Sequence, residues 1–198
     1  MAIHLGALPT AIEAILRKFS GDMRPGDAII MNDPYEGGMH LPNVITLTPA
    51  FSDGVLLGYA IAIAHHTDIG GHVPGSVPVN SVGEGVRIPS IRLQRGGVRD
   101  ETLLTLIERN IRQPRDFFGD LEAQLSACRI GEKRLQAVAE RYGNDVVLST
   151  MDGLLDRSGR MARAAIAQWP DGDYSFEEFL DSDGLDGPQS RCTFTRRI

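Results

Sequence analysis

The sequence predicts an α+β fold, with an N-terminal mixed β-sheet and loop region that carries the site, then a helical region and terminal strands. Three observations predict it. Over the first hundred residues, short apolar blocks are separated by Gly, Pro, Asn and Asp; between residues 101 and 169 apolar residues recur at helical spacing; after Pro170 strand-like runs return. The chain has 198 residues, 42% hydrophobic and 23% charged, the composition of a globular protein. At this size it can enclose a core, burying roughly 70% of its unfolded surface.

Each element has its own local signal. Pro9 suits a first helical turn, and Ile12, Ile15, Leu16 and Phe19 follow at i, i+3, i+4 and i+7, which predicts an amphipathic helix over 8–20 ending at Gly21. Ala28-Ile29-Ile30-Met31 reads as a buried strand stopped by the turn cluster Asn32-Asp33-Pro34, which Gly37 and Gly38 extend into a loop. Val44 to Thr48 alternates apolar residues with Thr. Pro49 and Ser52-Asp53-Gly54 then break the chain before a second apolar run, Val55 to Ala64, so the two form a hairpin that delivers His65 and His66 at its end. From Asp68 to Pro89 the chain is rich in Gly and Pro and lacks periodicity, the mark of a long irregular loop held by something other than its own packing.

A hinge is expected near 96–101. Beyond it, Leu103, Leu104, Leu106, Ile107 and Ile111 mark one helical face before Pro114, and Leu121, Leu125, Cys128, Leu135, Val138 and Tyr142 mark a second that ends at Gly143. Val147, Met151, Leu154, Leu155, Met161, Ala165, Ile166 and Trp169 trace a third, closed by Pro170-Asp171-Gly172. Tyr174 to Leu180 and Arg191 to Thr195 read as short strands whose open edge something must cover. The expected division is 1–98 for the β-rich region, 99–170 for the helices, and 171–198 for terminal strands packing on the first region, with a single incomplete domain as the alternative.

Composition narrows the function. A formal charge of -6 and a pI near 5.3 argue against nucleic-acid partners, which are held by phosphate neutralisation. The longest apolar run, Val55 to Ala64, is shorter than the roughly 20 residues a membrane helix needs, and the first residues lack a signal-peptide pattern. Cys128 and Cys192 have no CxxC spacing, so neither a zinc knuckle nor a redox pair is indicated, and a reducing cytoplasm fits best. Cys128, on a helical stripe, reads as a small buried hydrophobe.

The histidines carry the chemistry. Four of the five fall between positions 40 and 72, interleaved with Asp33 and Asp68. Imidazole and carboxylate together suit Zn, Mn or Fe(II), and a catalytic ion needs about three protein ligands and one open position. Asp33 and His40 follow one strand end and His65 and Asp68 follow another, so two turns can converge on one ion. Adjacent residues at a strand end point opposite ways, so of His65 and His66 one binds directly and the other supports a ligand or meets substrate. The same residues admit a structural reading, with Asp33 forming an Asx turn before Pro34 and Asp68 capping a turn before Gly70-Gly71. Spacing alone leaves both open. His72 is solvent-facing or beside the substrate. Glu84, between Gly83 and Gly85, is a candidate general base or ligand, or else a solvated loop carboxylate. No GxxxxGK[ST] or GxGxxG is present, and Ser76 lacks the G-x-S-x-G elbow, so phosphate-loop and serine-hydrolase chemistry are unsupported. Gly70 and Gly71 are better explained as letting the backbone pass close to another element.

Several strings together resemble the hydantoinase B/oxoprolinase family: Asn32-Asp33-Pro34-Tyr35-Glu36-Gly37-Gly38-Met39-His40-Leu41-Pro42, Ala64-His65-His66-Thr67-Asp68-Ile69-Gly70-Gly71, Pro74-Gly75-Ser76, and Glu84-Gly85-Val86-Arg87-Ile88-Pro89. Gly119-Asp120-Leu121 with Gln124, Gly131-Glu132-Lys133-Arg134-Leu135, Tyr142-Gly143 and Asp181-Ser182-Asp183-Gly184 extend the resemblance along the chain. It implies a metal-bearing subunit of an ATP-dependent amidohydrolase acting on cyclic amides such as hydantoins or 5-oxoproline. ATP is then used on a hydantoinase A-like partner subunit, within a hetero-oligomer. The resemblance also implies Asp33, His40, His65 and Asp68 as ligands of a divalent metal (Zn, Mn or Fe), with His66 as an alternate, and the Gly70-Gly71 and Pro74-Gly75-Ser76 loops as pocket walls; beside that set, His66 and Glu84 stand as the candidate catalytic groups. Two alternatives accompany it: a carboxylase subunit of the acetone carboxylase type, and a non-catalytic or degenerate assembly fragment. Asn43 stands where the family usually has Asp after Leu-Pro, and Gly83 replaces a usual polar residue. Family members are much longer, so the chain is expected to be an internal piece or a split gene product.

Overall fold

The computed structural model describes residues 2–72, 81–180 and 190–197. The chain forms two compact units, Met1–Val147 and Leu148–Ile198, and the α+β class holds in the first of them. Helix α1 runs Ala2–Phe19, six residues earlier than its expected start at 8, so Pro9 lies inside it rather than in the first turn. Pro9 is exposed, and so is Leu5, the residue whose carbonyl a proline at position 9 leaves without a helical donor.

Strands β1 (Ala28–Met31), β2 (Asn43–Ser52), β3 (Val55–His65), β4 (Ile91–Arg95) and β5 (Val98–Arg99) form one sheet in the order β3-β2-β1-β4-β5. Every pairing is antiparallel. Helices cover both faces, which explains why β1 is apolar at every position. Ile29 and Met31 of β1 and Ile45 and Leu47 of β2 pack on Ala11 and Ile15 of α1. From the opposite face, Ala28, Ile30, Val44 and Leu93 meet Leu103, Ile107, Leu121 and Leu125, which belong to α3 (Glu101–Asn110) and α4 (Pro114–Tyr142).

The stretch expected to hinge at 96–101 is instead the tight β4–β5 hairpin. Gly96 and Gly97 both take positive φ, 57° and 85°, as a two-residue hairpin turn of the primed type requires. The turn is tied down: Gly96 N donates to Asp27 Oδ1 at 2.8 Å and Gly97 N to Gly26 O at 2.7 Å. Asp100 then caps α3 by accepting from Leu103 N at 3.0 Å. Pro114, read as a stop for α3, is also the first-turn residue of α4.

Helix α4 lies across β2 and β3. On β3, Gly58, Ala60, Ala62 and Ala64 alternate with Leu57, Tyr59, Ile61 and Ile63. Tyr59, Ile61 and Ile63 pack with the α1 cluster, and the small residues admit α4, whose Gly131 lies so near that a Cβ there would stand 3.1 Å from Ala60 Cβ. Gln124 of α4 is buried between them, its Nε2 donating to Val44 O at 2.9 Å and Ala62 O at 3.4 Å. Cys128 is buried as expected, beside Thr46, and burial pushes its thiol pKa up. Helix α5 (Asn144–Ile166) follows Gly143. In the second unit β6 (Asp173–Leu180) pairs antiparallel with β7 (Ser190–Arg197), forming its own two-stranded sheet.

Candidate functional site

The site is assembled at the open end of the β2–β3 hairpin. Register places Asn43, the first residue of β2, opposite His65, the last of β3. His40 precedes β2 by three residues and reaches the same end. The two imidazoles stand with ring centroids 5.0 Å apart and tilted by 39°. Each has its Nδ1 held by an oxygen: His40 Nδ1 lies 3.3 Å from Glu84 Oε1, and His65 Nδ1 lies 3.2 Å from Asn43 Oδ1. A carboxylate and an amide oxygen only accept, so both Nδ1 atoms carry the proton, and the neutral form of each ring has its lone pair at Nε2.

Asn32 holds this arrangement together. Its Nδ2 donates to Leu41 O at 2.7 Å and Val86 O at 2.9 Å, and its Oδ1 accepts from Ile88 N at 2.6 Å. One buried amide thus joins the loop that carries His40 to the segment that carries Glu84. That segment is also fastened by a bridge between Gly70 and Gly85, with Val86 N donating to Ile69 O at 2.7 Å and His72 N to Gly83 O at 2.9 Å. The glycines are needed for the approach itself. A Cβ on Gly70 would collide with Asn110 O, on Gly71 with Glu84 O, and on Gly85 with Ile69 O, as their expected role implies.

The two aspartates lie elsewhere. Asp33 accepts from Tyr35 N at 2.9 Å, capping the short 3-10 turn Pro34–Glu36, and pairs with Arg87 Nε at 3.3 Å. Asp68 is buried, accepting from Gly70 N at 3.0 Å, Gln113 N at 2.9 Å, Arg112 Nη1 at 3.0 Å and the Arg112 backbone N–H. Burial alone would raise its pKa, but the donors of Gly70, Gln113 and Arg112 outweigh that and hold the carboxyl below its ordinary range. Both aspartates therefore follow the structural reading of the sequence, their carboxylates taken up by turns and arginines.

His65 and His66 diverge as strand alternation requires. His65 is exposed; partial desolvation first, then the neighbouring His40 and His4, pushes its pKa below the ordinary histidine value and keeps it neutral. His66 is 1% exposed, its ring 4.5 Å from that of Phe117 and its Nε2 2.8 Å from Gln124 Oε1. It anchors the end of β3 to α4, and its backbone N–H, donating to Pro42 O at 2.8 Å, joins that end to the loop carrying His40. His72 is exposed. Pro74-Gly75-Ser76 and Asp181-Ser182-Asp183-Gly184 lie outside the described residues.

The structure therefore brings together His40, His65 and Glu84 from the expected set, and adds Asn43. Among the described residues no group of three or more His, Cys, Asp or Glu side chains forms a metal-ligand set. The two imidazoles do suit a shared ion, since metal–nitrogen bonds of about 2.0–2.1 Å let two rings at this separation both reach it. The roles of Asn32, Gln124 and Arg112 could not be read from the sequence. Asn32 looks like any turn residue, and the other two act on partners 80 and 44 residues away in sequence.

The family model described as hydantoinase B/oxoprolinase matches residues 1–197. The chain is 37% identical over 174 residues to a putative D-/L-hydantoinase component of Pseudomonas sp. (strain NS671), covering 86% of this chain and 29% of that one. The crystal structure of the ATP-dependent caprolactamase from Pseudomonas jessenii superposes with a TM-score of 0.86 at 37% identity, over 92% of this chain and 32% of that one. A nucleotide-free acetone carboxylase structure, at 23% identity and a TM-score of 0.72 over 90% of this chain and 24% of that one, shares the fold. The chain thus spans about a third or less of the length of each of these relatives.

Proposed function

The chain belongs to the hydantoinase B/oxoprolinase family, and from that premise we propose that it bears the metal-side residues of an ATP-dependent amidohydrolase acting on cyclic amides such as hydantoins or 5-oxoproline, with ATP used on a hydantoinase A-like partner subunit. One observation supports this above the others. His40 and His65 stand 5.0 Å apart with both Nδ1 atoms held by oxygens, the arrangement by which metal-binding histidines are fixed in tautomer and orientation.

In this reading His40 and His65 hold a divalent ion (Zn, Mn or Fe) through Nε2. Such an ion polarises a carbonyl and lowers the pKa of bound water to about 7. Glu84 fixes the His40 ring and strengthens it as a donor, and Asn43 does the same for His65. The depressed pKa of His65 keeps its lone pair free of protons at neutral pH. The ligands taken over by resemblance are thus reduced to the histidines, with Glu84 as the nearby carboxylate and Asp33 and Asp68 as scaffold. The competing reading, a non-catalytic assembly piece, draws on Asn43, a neutral amide beside His65 where the resemblance leads one to expect a carboxylate.

Metal loading separates the two. After incubation with Mn, Zn or Fe(II) and desalting, the protein is expected to retain about one ion per chain, and His40→Ala and His65→Ala are each expected to lose it. Combined with a hydantoinase A-like subunit and ATP, hydrolysis of a hydantoin or 5-oxoproline is expected to fall at least 100-fold in either variant, since losing even a supporting partner of a metal ligand costs 10–100-fold. No retained metal, with turnover unchanged by both substitutions, removes the proposal.

A further inference from the structure

The sheet end that carries His40 and His65 also carries a guanidinium held on two sides. Arg87 lies three residues after Glu84, the carboxylate beside His40. Its Nε pairs with Asp33 Oδ2 at 3.3 Å, and its guanidinium carbon lies over the Tyr35 ring, 5.6 Å from the centroid. Both partners are themselves fixed, because Asp33 caps the turn Pro34–Glu36 and accepts from Tyr35 N at 2.9 Å. The chain on either side of Arg87 is tied to the same loop by the Asn32 amide, at Val86 O and Ile88 N. A side chain that ordinarily loses much rotamer freedom on binding is thus already ordered. Its Nη donors make no hydrogen bond among the described residues.

Register sets this guanidinium within a small ring's reach of the imidazoles. Met31 pairs with Ile45 and Ile45 with Ile63; two residues further toward the same end stand Asp33, Asn43 and His65. Two strand spacings of about 4.8 Å put Asp33 roughly 10 Å from His65, and the three residues from Glu84 to Arg87 span at most about 11 Å. A ring with its amide at the imidazole pair can therefore place a substituent at Arg87. All of these groups belong to the first compact unit. Charge points to what that substituent is. With a divalent ion on the histidines, the ion and Arg87 exceed Asp33 and Glu84 by one positive charge, which a monoanion balances.

We propose that Arg87 is a specificity residue of this site, taking the carboxylate of a cyclic amide that bears one in the fork geometry of arginine and carboxylate. The substrate class is then a lactam carboxylate such as 5-oxoproline, in preference to an uncharged hydantoin, which would leave the ordered guanidinium unused. The inference rests on the metal-side reading, in which His40 and His65 serve the amide end.

Calorimetry on the full chain loaded with Mn, titrated with 5-oxoproline and with 2-pyrrolidone, the same ring without the carboxylate, tests this. 5-Oxoproline is expected to bind about tenfold more tightly or better. Arg87→Leu is expected to weaken it about 10- to 100-fold, the scale of a charge-assisted contact, and to leave 2-pyrrolidone unchanged. Arg87→Lys is expected to recover part of the loss, since it keeps the charge without the fork. Both variants are expected to retain their ion, which shows that the imidazole pair is intact. If the unmodified chain retains its ion but binds both rings alike or neither, or if Arg87→Leu keeps the preference, this inference falls and the metal-side reading stands. An Arg87→Leu variant that loses its ion also overturns it, because Arg87 then supports the site and not the substrate. If the unmodified chain retains no ion, the metal-side reading falls and takes this inference with it.

Discussion

Asp68 shows how one residue can combine the sequence spacing of a ligand with the hydrogen bonds of a buried scaffold carboxylate. A carboxylate three positions after His65 has the spacing of a ligand, yet its oxygens accept from Gly70, Arg112 and Gln113. Its ionised form is preferred in the folded protein, so the folded pKa lies below the unfolded value of about 3.9. The stability this provides is complete above that value. It is lost as pH falls below about 3.9, because the unfolded chain takes up the proton first. Asp68→Asn is expected to lower stability at pH 7 by about 2 kcal/mol, the scale of lost charge-assisted hydrogen bonds. Its urea midpoint should change less than that of the unmodified protein between about pH 4 and pH 2. Equal midpoints at pH 7 would contradict this account. For Asp33 the sequence did contain the answer: an Asp before Pro is an Asx-turn signature as much as a ligand.

At the scale of elements, the glycines of the 70–85 region make the sharpest prediction. Gly85 has φ 144° and no room for a Cβ beside Ile69 O. Gly85→Ala is expected to break the Gly70–Gly85 bridge, detach Glu84 from His40, and raise protease cleavage in this segment at least severalfold, read by timed digestion. Elements were legible where local pattern and tertiary role agree. β1 matches its expected bounds because both its faces are covered and it is apolar throughout. β4 went unseen since Ile91-Arg92-Leu93-Gln94-Arg95 carries two arginines, and its strand state comes from pairing with β1, more than sixty residues earlier. The single helical turn α2 (Ser81–Glu84) was illegible because no apolar period marks it within its Gly- and Pro-rich surroundings. In the site, His40 and His65 could be paired from the hairpin alone. Asn43 as their companion could not, because its role depends on register to within one residue.

Over the whole molecule, the acid excess gives -6 and a pI near 5.3. At pH 7 the protein is expected to bind an anion exchanger and pass through a cation exchanger or heparin column in low salt, and its solubility minimum should fall close to pH 5.3. Retention on heparin would show a basic patch that the overall balance conceals. No helix among the described residues is long and apolar enough to cross a membrane.

Gln124 has a larger consequence than its size suggests. Where α4 crosses β3 the sheet offers it only Gly58, Ala60, Ala62 and Ala64, so along that strand the helix could glide with little loss of apolar contact. The Gln124 amide finds Val44 O, Ala62 O and His66 at one setting only. It acts as a detent: the helix clicks into a single position along the groove, and the strand ends presenting His40 and His65 inherit that alignment.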